Sequence, residues 1–271
     1  MKNSIKIVLF FIILLPLNSL AGWIITGRYI DREGNTFFKR YFIQNDQIKV
    51  ERYNLIYTCN LKTETIILID PENLIYTETS LKAYTEKLRD TQLGRLKELL
   101  ELIPEDQKSE YERMYKLQCE RNLILPVMNS DSLLFKKMAD TAKLLGYNTS
   151  KYLLTHNGRK KEELFLTNDV DISSDINMKV FLQYAYLLEP EDRTIIYRNS
   201  VKYSDLVKNG IVLRRFIFEE GNKSEWQVNN IEEKNIPFYE FGKPDLCKKI
   251  TLDQWLLKQK DVEGIQYDDY E

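Results

Sequence analysis

The side chains that could do chemistry in this chain are few, and their spacing suits little chemistry. His156 is the one histidine among 271 residues and stands directly before Asn157-Gly158, a dipeptide that favours the tight reversal of a β-hairpin. A histidine zinc site needs several imidazoles and a catalytic triad needs one held beside a nucleophile, so His156 reads as a turn residue. The three cysteines, Cys59, Cys119 and Cys247, show neither a CxxC pair nor another metal-ligand spacing. Asp169 with Asp171, and Glu162 with Glu163, are close enough in sequence for acid–base work, but neighbouring carboxylates in turns are common. No GxSxG, P-loop, dinucleotide-binding glycine pattern or HExxH occurs. The expectation is a protein without catalytic residues, metal site or cofactor.

The first twenty-one residues say where such a protein works. Met1, Lys2 and Lys6 precede an apolar run from Ile7 to Leu17, and small residues stand at Ser19 and Ala21. This is the pattern of a cleavable secretory signal peptide covering residues 1–21, with an apolar core too short to span a bilayer comfortably. No cysteine stands at the cleavage point to take a lipid, so the sequence predicts a periplasmic or secreted protein with no stable membrane anchor. In an oxidising compartment one disulfide among the three cysteines would leave one thiol over, and all three pairings stay open. Removing Lys2 and Lys6 moves the net charge from −2 to −4, which argues against a nucleic-acid partner.

The 250 residues that follow suffice for one large domain, read as 22–265 with an acidic tail at 266–271. From Trp23 to Thr77, six runs rich in β-branched and aromatic residues are separated by short polar turns, which predicts an antiparallel meander. Ile48 and Val50 fall on one face of their strand and Lys49 and Glu51 on the other, while Tyr41 and Ile43 oppose Arg40 and Gln44. Thr65 to Ile69 is apolar on both faces and needs cover on both. From about 80 to 145 the spacing of apolar residues turns helical and predicts a long helical insertion of three helices. The first carries Leu93, Leu96, Leu99 and Leu100, the second starts at Pro104 and carries Tyr111, Met114, Tyr115 and Cys119, and the third runs from Ser132 to Leu145. A hairpin around His156–Arg159, a helix from Asp175 closed by Pro190, a hairpin around Glu219–Lys223 and a terminal segment with Trp255 complete the α+β pattern.

Three stretches carry a resemblance to a known family. They are Tyr41–Glu51, a hydrophobic strand followed by a polar turn and a K-x-E strand; Thr65–Ser80, an I-x-D … Y-x-E hairpin entering a helix; and Leu145–Tyr152, a G-Y-x-x-x-K-Y entry to a hairpin. Their order resembles the LolA-like half-barrels of bacterial cell envelopes, especially the uncharacterised periplasmic families of that fold. The resemblance implies a strongly curved antiparallel sheet, an incomplete barrel, covered by helices. It also implies an apolar cleft between the two layers that takes a lipid or a lipoprotein acyl chain.

The leading expectation is therefore a non-enzymatic envelope protein that binds an apolar ligand in a cleft lined by Trp23, Ile25, Tyr41, Ile48, Val50 and Ile67. The same side chains would serve equally well as a filled core. In that case the protein is an interaction or assembly factor whose partner is another envelope protein.

Overall fold

The computed structural model describes residues 21–262 apart from 53–54, 105–107, 110, 113–114, 117–132, 189–197, 199, 209 and 220. Residues 1–20 of the predicted signal peptide, the acidic tail, Met114 and Cys119 lie outside the described residues.

Turn chemistry sets the strand order. At Asn45-Asp46, Leu145-Gly146 and Asn157-Gly158 both central residues have positive φ, between 51° and 87°. That geometry matches the twist of an antiparallel pair, so each reversal sends the chain straight back along its neighbour. The strands are β1 Gly22–Ile30, β2 Thr36–Gln44, β3 Gln47–Arg52, β4 Leu55–Asn60, β5 Thr65–Asp70 and β6 Ile75–Ser80, then β7 Leu133–Leu144, β8 Tyr147–His156, β9 Arg159–Thr167, β10 Ile211–Glu219, β11 Asn222–Lys234 and β12 Lys248–Lys249. They form one curved, unclosed sheet in the order β12-β6-β5-β4-β3-β2-β1-β11-β10-β9-β8-β7, antiparallel except for the β12–β6 pair. The predicted meander is the run β1 to β6, and β11 beside β1 joins it to the second half of the sheet.

The third predicted helix is corrected. Ser132 to Leu145 holds strand β7 rather than a helix, paired to β8 along most of its length. The pairing slips between Lys137 and Thr141, and this irregularity breaks the alternation set up by Leu133 and Phe135. Phe135, Met138 and Ala142 then recur at intervals of three and four, a helical spacing within an extended strand. Of the expected insertion, the first helix is present as α1, Leu81–Leu102, capped by Ser80 Oγ, which accepts from the Ala83 amide. Lys108, Ser109, Tyr111, Glu112, Tyr115 and Lys116 are helical within the second.

Three further helices are α2 Met178–Leu188, α3 Val201–Val207 and α4 Leu252–Val262. All pack on one face of the sheet, here called the inner face. There Ile25, Ile43, Ile48, Val50, Cys59, Ile66 and Leu68 meet Leu81 of α1, Tyr184 and Leu187 of α2 and Trp255 of α4. A second cluster joins Leu133, Leu154, Leu164 and Leu166 of the other half-sheet to Leu182 of α2 and to Tyr203 and Val207 of α3. Helix α2 thus contributes to both clusters. Its composition, MKVFLQYAYLL, is apolar nearly all round, as a helix buried on most sides requires.

The outer face is strapped by the C-terminal segment. Ile236 and Phe241 pack on Ile24 and Phe42, Glu240 pairs with Lys49 at 3.0 Å, and β12 covers the β6 edge. The chain then returns to the inner face as α4, started by a reciprocal cap in which Gln254 N donates to Thr251 Oγ1 and Thr251 N to Gln254 Oε1. Glu78 ties the strap down through Lys243 at 3.0 Å and Lys249 at 3.2 Å. The hydrogen bond from Lys243, aided by that from Lys249 and by both charges, holds the Glu78 carboxyl below its ordinary range despite partial burial. A lowered carboxyl contributes stability that is fully present above the unfolded value, about 4.3, and is lost as pH falls through the lowered folded value. Urea denaturation should show this loss for the native chain below about pH 4.3, and Glu78→Gln should flatten that part of the profile.

Candidate functional site

Strand alternation sorts every candidate residue onto one face or the other. Cross-strand partners share a face, so the pairs Trp23–Ile43, Ile25–Tyr41, Tyr41–Val50 and Ile43–Ile48 place Trp23, Ile25, Tyr41, Ile48 and Val50 together on the inner face. Ile67 lies between Ile66 and Leu68, which belong to the inner cluster, and so projects from the outer face. Ile48 and Val50 are fully buried among the strands β3 and β4. Trp23 is half-buried and donates its indole N–H to Asp175 Oδ2 at 3.1 Å.

Between α2, α3 and the inner face of β1, β2, β10 and β11 lies a partly open cavity of about 160 Å³. Ile25 and Tyr41 are the two sequence-predicted residues that line it; the others do not. Its helical wall is made by Met178, Phe181, Leu182 and Ala185 of α2 with Tyr203 and Val207 of α3, and its floor by Ile43, Ile211, Trp226 and Val228 among others. The cavity sits where the two halves of the sheet meet under α2. Neighbouring strands are about 4.8 Å apart and a helix with its side chains is about 10–12 Å across, so one helix covers little more than two strands. The cavity at this seam is lined from four strands, β1, β2, β10 and β11.

Trp226 reaches across this seam because Gly27, on the neighbouring strand, has no side chain. A Cβ on Gly27 would run into the Trp226 ring, and the ring stands edge-on to Tyr41 with centroids 5.7 Å apart.

Charge enters the cavity by an unexpected route. Like-charged residues stand side by side within several strands, among them Lys39-Arg40, Glu162-Glu163 and Arg214-Arg215. Because successive strand residues face opposite ways, one member of each pair turns inward. Arg40, Glu163 and Arg214 face out, where Glu163 pairs with Lys160 at 2.6 Å and Lys151 at 3.2 Å. Lys39, Glu162 and Arg215 face in. Glu162 is 0% exposed and accepts from Arg198 Nε at 2.6 Å, with Arg198 2% exposed. The Arg215 guanidinium lies 3.4 Å from the same carboxylate and donates to Tyr203 Oη at 2.8 Å. Lys39, 6% exposed, lies over the Tyr29 ring. Lys39, Arg198 and Arg215 all line the cavity, and among the described residues no acid does.

The acids considered for catalysis do other work. Glu162 and Glu163 point to opposite faces and cannot act on one bond. Asp169 accepts from the Asn148 amide, and Asp171 from the Ser173 amide, which with the Ser173 hydroxyl lowers its carboxyl below the ordinary range. His156 closes β8 at the Asn157-Gly158 turn, opposite Arg159. Cys59 and Cys247 are not disulfide-bonded, and burial pushes the Cys59 thiol up to about 12. Among the described residues no group of His, Cys, Asp or Glu side chains is gathered to hold a metal ion, and no helix is long and apolar enough to cross a membrane. Lys39, Arg198, Arg215 and Trp226 were not expected at the site. The signal for two of them was the like-charged doublet inside an alternating strand.

The two faces differ in what a lost charge should cost. Glu162→Ala leaves buried guanidinium groups without their carboxylate and should destabilise by about 3–5 kcal/mol. Glu163→Ala, one residue away on the outer face, should cost under about 1 kcal/mol. Urea unfolding of the two variants reads the difference directly.

The sequence matches no family model, and no curated protein matches it. Among solved structures it is similar to PNGF-II, at 13% identity and a TM-score of 0.36, over 89% of this chain and 33% of that one. It is similar to a chain of the Pseudomonas aeruginosa MucA/MucB complex, at 10% identity and a TM-score of 0.39, over 87% of this chain and 62% of that one. It is also similar to the LolA superfamily protein NE2245 from Nitrosomonas europaea, at 8% identity and a TM-score of 0.27, over 84% of this chain and 92% of that one. The chain thus spans about a third of the length of PNGF-II and under two thirds of its counterpart in the MucA/MucB complex. Likeness at this level says nothing of ligand or partner, and the architecture rests on the chain's own strand order.

Proposed function

We propose that this protein is a non-enzymatic, exported binder of an apolar or amphipathic small molecule, with a LolA-like incomplete barrel as its frame. The observation that carries the reading is the cavity between α2 and the sheet, about 160 Å³ and lined mostly by aliphatic and aromatic side chains. A well-packed core leaves few voids larger than a water molecule, so a space of this size at the layer interface is a binding site by default. An apolar cavity of about 150 Å³ admits a molecule the size of benzene. Here that means a ring or a short chain, while a full lipid or lipoprotein acyl chain would need α2 to move outward. Each methylene transferred from water contributes about 0.8 kcal/mol. The residues 1–21 support export to the periplasm or beyond, and the order of the three motif stretches supports the LolA-like frame.

Native mass spectrometry of the chain purified from its cell envelope, with extraction of bound small molecules, tests the proposal. The expected result is an apolar species bound to the native protein and lost in Ala185→Phe, whose ring occupies the cavity while the thermal transition is kept. A native chain that carries no small molecule and takes up no apolar probe would overturn it. A co-purifying envelope polypeptide in place of a small molecule would favour the assembly-factor alternative.

A further inference from the structure

An aromatic bar crosses the cavity at the middle of β1. Along the inner face of this strand Ile25, Gly27 and Tyr29 follow one another, and Ile25 and Tyr29, about 13 Å apart, both line the cavity. At Gly27 the strand offers no side chain, and its neighbours on both sides take the space. The outer ring atoms of Trp226 on β11, Cζ2 and Cη2, stand where a Cβ of residue 27 would be, and Tyr41 on β2 meets that ring edge-on. Backbone conformation does not ask for glycine here, since Gly27 lacks the positive φ of the turn glycines Gly34, Gly146, Gly158 and Gly221. A glycine inside a strand weakens it and marks a close approach. The register of the β1–β11 pair also shifts between Thr26 and Gly27, and a bulge re-aims the side chains beside it. Glycine and bulge together place one indole across the seam.

We infer that Trp226 and Tyr41 form a stop that sets the length of the ligand, so that the cavity takes a single ring or a chain of about six carbons lying along Ile25 and Ile43. Both rings stand on strands paired to β1, so the stop is built into the sheet. Phe181, on the opposite wall, stands on α2 and bounds the space between the layers instead. Chain carbons that fit before the bar leave water and add affinity, whereas those beyond that length stay at the open side and add none. This inference rests on the proposed use of the cavity as a binding site and adds the size of the ligand and the residues that set it.

Isothermal titration of the full chain with the straight-chain alcohols from butan-1-ol to decan-1-ol tests the stop. The affinity of the native chain should rise about fourfold with each added carbon as far as hexan-1-ol and level off by octan-1-ol. Trp226→Leu should carry the rise on to decan-1-ol, binding it roughly tenfold more tightly than the native chain does, and Tyr41→Leu should act in the same direction. Phe181→Leu, which adds room toward α2 without opening the bar, should leave the levelling-off length where it is. Three results overturn the stop while the apolar cavity stands: a native affinity that keeps rising through decan-1-ol, an unmoved levelling-off length in a folded Trp226→Leu or Tyr41→Leu chain, or an equal shift in Phe181→Leu. Absence of binding at every length overturns the cavity as a binding site as well. The native series keeps the stop open to refutation even if no variant folds.

Discussion

Helix α2 is held in place by a small knot of hydrogen bonds at its N-terminus, and much of the inner layer follows from that knot. The β2–β3 turn supplies Asp46, whose amide donates to the Asp175 carbonyl at 2.8 Å and whose carboxylate accepts from the Asn177 amide at 2.9 Å. Asp175 in turn accepts from the Trp23 indole, and the Asn177 side chain accepts from the Val180 amide in the first turn of α2. Residues distant in sequence thereby fix where the helix begins and which way it runs. The half-buried Trp23 indole N–H would lose its carboxylate acceptor if the helix began elsewhere, and a hydrogen bond to a charged group contributes about 1.5–3 kcal/mol, so the knot is specific as well as tight. From that fixed start α2 delivers Tyr184 and Leu187 to one cluster and Leu182 to the other.

A twelve-stranded sheet that does not close has more inner surface than the helices α1 to α4 cover. Helices α1 and α4 cover the meander end, α3 covers part of the other end, and α2 alone bridges the seam. The cavity is the geometrical remainder of this arrangement. The buried charges mark the same seam. Arg198, Glu162 and Arg215 lie where β9 and β10 approach α3, and such networks stabilise little in total but are costly to break at any single member. Their effect is to hold α3 and the sheet in one register beside the cavity.

Most of the strand order was legible in the sequence because the turns carried their own chemistry. Asn45-Asp46 and Asn157-Gly158 adopt the left-handed backbone that those residue types favour, and the alternation around Tyr41 to Glu51 put Lys49 and Glu51 on the face opposite Ile48 and Val50, as the structure does. Strand β7 was read as a helix because a local slip in pairing destroyed its period of two, and Leu145 at φ 53° gave the turn no recognisable dipeptide. Helix α3 had only the Ser200 cap to announce it, in a stretch of mixed composition. The cavity itself was half legible. Ile25 and Tyr41 followed from alternation in the first two strands, whereas Trp226 is brought there by a pairing across almost two hundred residues and Arg198 by its ion pair with the buried Glu162. Sequence alternation identifies an inward face, but which part of that face stays unfilled depends on how many helices return to cover it.

Hydrogen–deuterium exchange with and without a bound apolar ligand tests most directly the claim that the seam under α2 is the binding site. The account predicts slower exchange on ligand binding in Met178–Leu188 and Val201–Val207, with β3 to β6 unchanged. Unchanged exchange in both helices at saturating ligand, or protection confined to the outer face, would contradict it.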